Sequence, residues 1–291
     1  MTATTTLADL AARPAPGSAP GTAPGAPSSD ATPRLRFEHV RKEFPVRGTR
    51  DALVALEDLT LDVAPGELVT LVGPSGCGKS TLLDLVAGLA TPTRGRILLD
   101  GRPVAGPGLD RGIVFQQYAL LPWRTAQGNV ELGLEARRLP KRERRRIARE
   151  HLELVGLAGF ADRYPHELSG GMKQRVAIAR SLAFDPEVLL MDEPFAALDA
   201  QTRESLQDEL LRIWRATGKT IVFITHGIEE AVYLGQRVVV LTPRPGRVRT
   251  VIDVDLPGRG TDPGHDLRAD PAFVALRHRV WTALHDAEEE R

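Results

Sequence analysis

The fold of this chain is decided by the stretch from Leu68 to Ser80, which reads LVTLVGPSGCGKS. Its first five residues are a nearly continuous apolar run, which is typical of a strand buried on both faces. The next eight fit the pattern G-x-x-x-x-G-K-[ST]. Apolar residues then follow at helical spacing, at Leu82, Leu83, Val86 and Leu89. A strand, a glycine-rich loop and a helix in this order predict a phosphate-binding loop in an α/β fold.

Phosphate chemistry explains the residue types of this loop. Phosphate oxygens need several converging backbone N–H donors, and glycine lets the backbone wrap closely without a Cβ clash. The helix that follows adds the positive end of its dipole. We expect Lys79 to place a compact cation at the β- and γ-phosphates and the Ser80 hydroxyl to be a ligand of Mg²⁺. The predicted nucleotide-binding residues are Gly73, Pro74, Ser75, Gly76, Cys77, Gly78, Lys79, Ser80 and Thr81.

The only cysteine of the sequence, Cys77, lies inside this loop. We interpret it as a small side chain that the loop tolerates. The alternative is an oxidisable thiol whose pKa is lowered by the neighbouring helix N-terminus. A single cysteine also excludes an intrachain disulfide framework.

Further apolar runs predict a sheet around the first strand. They are residues 113–115, 188–191, 220–224 and 238–241, and helical patterns separate most of them. Strands that alternate with helices predict a parallel sheet covered on both faces. Two more strands are predicted at residues 35–40 and 59–63, and residues 122–183 are interpreted as a helical insertion.

Composition limits the function classes. The 291 residues carry 38 Lys+Arg and 38 Asp+Glu, and this balance argues against a wholly basic nucleic-acid binder. Eight Lys/Arg and three Glu in residues 135–150 favour the solvated face of a helix over a contact with nucleic acid or anionic lipid. With no run of 18 or more apolar residues, no membrane-spanning helix is predicted.

The two ends of the chain differ from its middle. Residues 1–33 are rich in proline and alanine and lack apolar periodicity, which predicts a disordered tail. Residues 255–291 are predicted to be a C-terminal extension that contains an amphipathic helix. Asp270 is the expected N-cap of that helix and Pro271 its first residue.

A second acidic element follows an apolar run. Residues 188–191 lead directly into Asp192 and Glu193. At the carboxyl end of a strand, Asp192 is expected to reach the Mg²⁺ shell, and Glu193 to orient or deprotonate the attacking water. The alternative is a pair of acids that merely caps a strand, and the phosphate loop upstream makes the functional interpretation the stronger one.

A third motif carries a specific resemblance. The stretch Leu168–Arg175, LSGGMKQR, resembles the signature loop of the nucleotide-binding subunits of ABC transporters. The resemblance covers residues 35 to about 250, and residues 34–254 are predicted to be the ATPase domain. It implies an α/β P-loop NTPase core with a parallel sheet, an N-terminal antiparallel β subdomain and an inserted helical subdomain.

The resemblance also implies roles for single residues. Gln116 matches the glutamine that touches Mg²⁺ and nucleotide and faces the membrane subunit, and Asp199 matches the loop after the acidic strand. His226 matches the catalytic switch histidine that contacts the γ-phosphate. Phe44 is the best candidate for the aromatic ring that stacks on adenine, where family members usually have Tyr.

The family assembles as a head-to-tail dimer. The resemblance therefore implies that each ATP would lie between residues 73–81 of one copy and Ser169, Gly170 and Gly171 of the other. Those three residues also suit an anion without the resemblance, because they offer a hydroxyl and unshielded N–H groups at a helix start.

Three further segments resemble the nitrate/sulfonate/taurine branch of bacterial importers. They are residues 118–125, 229–234 and 243–247. The resemblance implies a peripheral subunit on the cytoplasmic face of the membrane, which binds permease subunits and works with an extracytoplasmic binding protein. Residues 120–123 would receive the permease, although Trp123 could instead pack within the helical region.

Two other functions compete with that of a transport ATPase. An ABC-type ATPase of DNA repair or translation is the alternative, but such proteins call for coiled-coil insertions, zinc cysteines or tandem ATPase units. A P-loop kinase would leave residues 168–175 and His226 unexplained.

Overall fold

A six-stranded sheet forms the centre of the protein. The computed structural model describes residues 32–46, 48, 51–256 and 267–289. Across the sheet the strand order is β10-β9-β3-β8-β7-β6, and all strands except β10 run parallel to their neighbours. The strands are β3 (Leu68–Val72), β6 (Arg111–Val114), β7 (Val188–Asp192), β8 (Thr220–Ile224), β9 (Arg237–Leu241) and β10 (Val248–Asp253).

A second, antiparallel sheet packs on one face of the first. Its order is β2-β1-β4-β5, formed by β1 (Leu35–Pro45), β2 (Ala52–Val63), β4 (Arg94–Leu99) and β5 (Arg102–Pro103). Both β1 and β2 are longer than the sequence predicted. The added part of β1 carries charged side chains, and Arg41 forms ion pairs there with Glu43 and Glu57, each at 2.6 Å. This part therefore lacks the alternation of apolar and polar residues from which a strand is predicted.

Helices cover both faces of the large sheet. Helices α2 to α4 fill most of the stretch predicted as a helical insertion. The helices are α1 (Lys79–Ala87), α2 (Ala126–Ala136), α3 (Lys141–Leu154), α4 (Gly170–Ala183), α5 (Ala200–Thr217), α6 (Ile228–Leu234) and α7 (Pro271–Glu289). None of the described helices combines the length and the apolar character needed to cross a membrane.

Helix boundaries follow local chemistry. Helix α1 ends at Gly88, whose φ of 74° is left-handed, so Leu89 lies beyond the helix and is 57% exposed. The prediction that Leu89 belongs to the helical face is therefore wrong. At the other end of the chain, the Asp270 carboxylate accepts a hydrogen bond from the N–H of Ala272 at 2.7 Å, as expected of the N-cap.

Strand β3 shows why its sequence is apolar at nearly every position. Leu68 and Val72 belong to a core shared with helices α2 to α5, while Val69 and Leu71 belong to a second core below the antiparallel sheet and α1. The predicted burial on both faces is confirmed. Of the tail predicted over residues 1–33, residues 1–31 lie outside the described part of the chain.

Candidate functional site

The predicted site residues converge on one edge of the large sheet. Strands β3, β6, β7 and β8 are parallel, so the segments that follow them leave the sheet at the same edge. These segments are the loop at residues 73–78, Gln116, the pair Asp192 and Glu193, and His226. Strand β8 lies between β3 and β7, which places the His226 turn between the loop and the acidic pair.

The loop at residues 73–80 is tightly closed. Gly78 has a φ of 94°, and a Cβ there would lie 2.6 Å from the Leu56 side chain of β2. The Lys79 ammonium donates hydrogen bonds to the carbonyls of Gly73 at 2.6 Å and Pro74 at 3.1 Å. The lysine therefore lies across the mouth of the loop, in reach of an anion held by the loop N–H groups.

Cys77 is a packing residue of the loop. Its side chain is fully buried, and this burial raises the pKa of the thiol although Lys79 opposes the shift. A thiolate is therefore disfavoured, and the alternative of a thiol with a lowered pKa is wrong.

A segment between β9 and β10 supports the loop from outside. Gly246 lies so close that a Cβ on it would be 2.0 Å from the Cys77 carbonyl oxygen. Arg244 adds a hydrogen bond from Nε to the Gly76 carbonyl at 3.4 Å. Residues 243–247 thus have a direct structural role at the loop. Sequence reasoning used them only as a mark of lineage, because their partners lie far away along the chain.

The acidic pair occupies the end of β7. Burial raises the pKa of the Asp192 carboxyl, and the neighbouring Glu193 charge adds to the shift while Lys79 opposes it. Glu193 follows with a φ of 43°, and its N–H donates to the Ile224 carbonyl of β8 at 2.9 Å. A left-handed backbone conformation is uncommon for glutamate. Together with the hydrogen bond to β8, this conformation fixes the direction in which the Glu193 side chain leaves the strand.

Glu193 and His226 are in direct contact. The Nδ1 of His226 lies 2.9 Å from Oε2 of Glu193, within hydrogen-bonding distance. Both residues were predicted as site residues from the sequence, but the hydrogen bond between them was not. They follow different strands, β7 and β8, and helix α5 separates these strands along the chain. The pocket beside the pair is also lined by Thr225, Gln207 and Arg268, to which the sequence assigned no role, and by Glu230 of the segment 229–234.

The signature residues begin helix α4. Ser169 is the N-cap, and its Oγ accepts from the Met172 N–H at 3.3 Å. A Cβ on Gly170 would lie 3.1 Å from the Tyr118 hydroxyl, and one on Gly171 would lie 2.7 Å from the Thr202 side chain. The glycines thus also allow close packing on the loop after Gln116 and on α5, in addition to offering the N–H groups that the sequence predicted.

Three other predicted residues lie around this edge. Gln116 is exposed in the loop after β6, and Asp199 is the N-cap of α5, where the Thr202 N–H lowers the pKa of its carboxyl. Phe44 lies near the end of β1, half-exposed, with the Lys42 ammonium 5.1 Å from its ring centroid. Its partner across the strands is Leu53, just before the part of β2 that contacts the loop.

Trp123 is a surface residue. Its side chain is 71% exposed, so the alternative that it packs within the helical region is wrong. The turn that carries it is fixed by buried Asn129, whose amide binds both the N–H and the carbonyl of Leu121, at 2.7 and 3.1 Å. Arg180 of α4 holds the preceding residues through the Tyr118 and Ala119 carbonyls. The tryptophan is therefore presented on a rigid base.

The basic stretch at residues 135–150 lies mainly on α3. On this helix the buried residues Ala148 and, just beyond the stretch, Leu152 face the core, while Arg146 pairs with Glu150 at 2.5 Å and with Glu143 at 3.8 Å. This arrangement agrees with the solvated helix face that the sequence favoured.

Comparisons with known proteins agree with this geometry. The family model described as ABC transporter matches residues 56–196. An uncharacterized ABC transporter ATP-binding protein of Methanocaldococcus jannaschii is 57% identical over 87% of this chain and 92% of its own length. A nitrate import ATP-binding protein of Synechocystis is 49% identical over 84% and 92%, and a taurine import ATP-binding protein of Rhizobium johnstonii is 48% identical over 88% and 98%.

Solved structures give the same result. The ATP-binding cassette MJ0796, a dimer in a post-hydrolysis state bound to ADP and phosphate, is 35% identical with a TM-score of 0.66. The match covers 76% of this chain and 99% of that one. The α/β fold with its added antiparallel sheet and helices is therefore that of an ABC ATPase. The chain belongs to the ABC transporter family, as an ATP-hydrolysing, ATP-binding subunit of the branch that includes these nitrate and taurine import proteins.

Proposed function

We propose that this chain is the ATP-hydrolysing subunit of a bacterial importer for nitrate, sulfonate or taurine-like small anions. The observation that carries the proposal is the Glu193–His226 contact, which stands beside the loop of Lys79 at one sheet edge. The similarity to nitrate and taurine import ATP-binding proteins supports the substrate class. The substrate itself would cross a separate permease.

Residues 73–81 are proposed to hold ATP. A Cβ at Gly73 would lie 2.6 Å from the Cys77 sulfur and one at Gly78 2.6 Å from the Leu56 side chain, so the glycines let the loop close into a tight cradle. Lys79 would supply the cation for the β- and γ-phosphates. Phe44 would stack on the adenine. In this proposal residues 34–254 form the ATPase domain, with a helical subdomain at about 122–183, and residues 255–291 form the C-terminal extension.

The residues proposed for Mg²⁺ fit that ion. Ser80, Gln116 and Asp192 offer a hydroxyl, an amide and a carboxylate oxygen, the hard donors that Mg²⁺ prefers. Bound Mg²⁺ would supply positive charge that offsets the negative charge of the phosphates. Burial raises the pKa of Asp192, and the ammonium of Lys79 acts against that shift.

Glu193 and His226 are proposed to carry out hydrolysis. The Glu193 carboxylate would orient the attacking water and accept its proton, and His226 would contact the γ-phosphate. The hydrogen bond between the two side chains holds them in one relative orientation, which reduces the entropy lost on reaching the transition state.

A second copy of the chain is proposed to complete the site. Ser169, Gly170 and Gly171 stand at the start of α4 with an exposed hydroxyl and N–H groups suited to the γ-phosphate. A head-to-tail homodimer brings them onto the ATP of the partner, and Asp199 would lie at the same interface. The dimeric state of the solved cassette supports this arrangement.

The surface around Trp123 is proposed to bind the permease. An exposed tryptophan on a rigid turn is the kind of anchor that dominates protein interfaces. The subunit would then lie on the cytoplasmic face of the membrane, bound to permease subunits that receive substrate from an extracytoplasmic binding protein. No nucleic acid is part of this function.

Co-purification tests the transporter assignment. The full-length chain is expressed with the permease encoded beside its gene, and a stable complex that is weakened by Trp123→Ala is the expected result. Phe160→Ala, at another exposed aromatic residue, is the matched control. A chain that never associates with a permease and retains ATPase activity would instead support an ABC ATPase of DNA repair or translation.

A further inference from the structure

A polar network joins the C-terminal segment to the turn that carries His226. Arg268 belongs to the short helical turn Leu267–Ala269 directly before α7. It reaches the pocket beside Glu193 and His226, where Gln207 and Glu230 also lie. The network therefore connects a segment beyond the last sheet strand with the proposed hydrolytic pair.

Thr225 fixes the turn on which His226 stands. Its hydroxyl accepts the Gly227 N–H at 2.9 Å and donates to the Glu230 carboxylate, while its own N–H binds the Leu71 carbonyl of β3. A hydroxyl has a single proton, so donation to Glu230 directs its lone pairs toward Gly227. The position of the Glu230 carboxylate therefore sets the geometry of the turn.

Gln207 links Arg268 to Glu230 through two hydrogen bonds. Its amide oxygen accepts from Arg268 Nη2 at 2.7 Å, and its amide nitrogen donates to Glu230 Oε1 at 3.0 Å. A guanidinium only donates, so the amide oxygen must face Arg268 and the nitrogen must face Glu230. Gln207 is 3% exposed, so water does not satisfy the amide if it turns over.

Arg268 is itself firmly held. Its guanidinium lies 4.1 Å from the centroid of the Tyr233 ring, and its Nε lies 3.3 Å from the Glu229 carboxylate. Burial and the hydrogen bond to Asp208 raise the pKa of Tyr233 to about 12, so the ring stays neutral at physiological pH. Tyr233 and Glu229 both belong to α6, the helix that follows the His226 turn.

We propose that Arg268 is a positioning residue for ATP hydrolysis. Arg268 orients Gln207, and Gln207 holds the Glu230 carboxylate in place. That carboxylate fixes the turn at Thr225, from which His226 contacts Glu193. The inference rests on the proposed function, in which His226 contacts the γ-phosphate. Because Arg268, Gln207 and Glu230 lie outside the loop at residues 73–81, the C-terminal segment affects the rate of hydrolysis and leaves ATP affinity unchanged.

Steady-state ATPase kinetics and ATP binding of the full-length chain test this inference. Arg268→Met keeps the bulk over Tyr233 but removes every donor, and its kcat should fall about tenfold while Kd for ATP stays within about twofold. Arg268→Lys restores one donor toward Gln207 and should recover most of the loss. Arg277→Met, on the exposed face of α7, is the matched control and should behave as wild type.

Three results with the Arg268 variants alone overturn the inference: a wild-type kcat for Arg268→Met, a loss that appears in Kd, or a lysine variant as impaired as the methionine variant. Gln207→Met provides the second route if Arg268→Met does not fold. It should show the same loss, and the double variant should show no further loss because both changes interrupt one chain of contacts. Additive losses contradict the proposal.

His226→Ala in the same assay distinguishes a failure of the inference about Arg268 from a failure of the proposed function. If His226→Ala loses turnover while Arg268→Met retains it, the inference fails and the proposed function stands. If His226→Ala turns over as wild type, the proposed function of the pair fails, and the inference fails with it.

Discussion

At the scale of single residues, the sequence best predicted the positions of residues whose role in the site can be filled by only one residue type. The loop glycines, Lys79, Glu193 and His226 stand where the chain order of strands and loops predicted them. Arg268 was not predictable, because Gln207 lies far from it along the chain and only tertiary packing brings the two together. The same holds for Gly246, whose partner Cys77 is remote in sequence.

Lys79→Ala should weaken ATP binding by about 10- to 100-fold, because it removes the compact cation at the phosphates. Lys79→Arg should restore little of it, since a planar fork does not replace an ammonium in a closed loop. Titration with a fluorescent ATP analogue measures both. Lys219→Ala, which breaks only a surface pair with Asp185, is the control, and unchanged affinity in Lys79→Ala would count against the cradle.

Gly246→Ala should both destabilise the protein and lower ATP affinity. The new Cβ would fall 2.0 Å from the Cys77 carbonyl, so the loop backbone must move, at a cost of about 2–4 kcal/mol. Urea unfolding and ATP titration provide the two readouts. Gly159→Ala is the control because a Cβ there meets nothing within 4 Å. Equal behaviour of the two variants would refute the close contact.

Cys77 should resist modification in the folded protein. Since burial raises the pKa of the thiol, the reactive thiolate is scarce at pH 7 and its fraction grows only as pH rises. We expect iodoacetamide labelling, followed by mass, to be at least about tenfold slower than in the urea-unfolded chain. Rapid labelling of native protein at pH 7 would show that the thiol is exposed or activated.

At the scale of elements, predictability followed the burial pattern. Strands β3 and β8 have the boundaries that their apolar runs predicted, because both faces of each are covered. Strands β4 and β10 were missed, since two arginines and a glycine precede the three apolar residues of β4, and arginine and threonine interrupt the apolar residues of β10. The second half of β1 was missed because most of its side chains are charged. Arg41 pairs with Glu43 of the same strand and with Glu57 of β2, so this part of the strand does not need apolar side chains.

The turn that carries Trp123 depends on helix α2 through one side chain. Asn129→Ala removes four hydrogen bonds to backbone atoms of residues 121, 124 and 125, and should lower the free energy of unfolding by about 1–3 kcal/mol. It should also weaken the permease complex as Trp123→Ala does. Urea unfolding and co-purification measure the two effects, with exposed Gln117→Ala as the control. A fully stable variant would mean that Asn129 does not organise the turn.

At the scale of the whole molecule, the two proposed anion-binding elements underlie the proposal that two copies of the chain are needed to build one ATP site. The loop at residues 73–80 and the signature residues 169–171 lie on different layers, the first on the sheet edge and the second at the start of α4. Sequence motifs predicted both elements. That they combine into one site follows only from the resemblance to the ABC family, whose members form head-to-tail dimers. The head-to-tail dimer is therefore the central claim.

The most direct test of that claim is the oligomeric state of Glu193→Gln in saturating Mg-ATP, measured by sedimentation velocity. The variant keeps the ATP-binding loop but should stop hydrolysis, so we predict a stable ATP-bound dimer that returns to monomer when ATP is removed. Adding Ser169→Arg, which obstructs the signature residues, should abolish the dimer. A Glu193→Gln chain that binds ATP and stays monomeric would contradict the account.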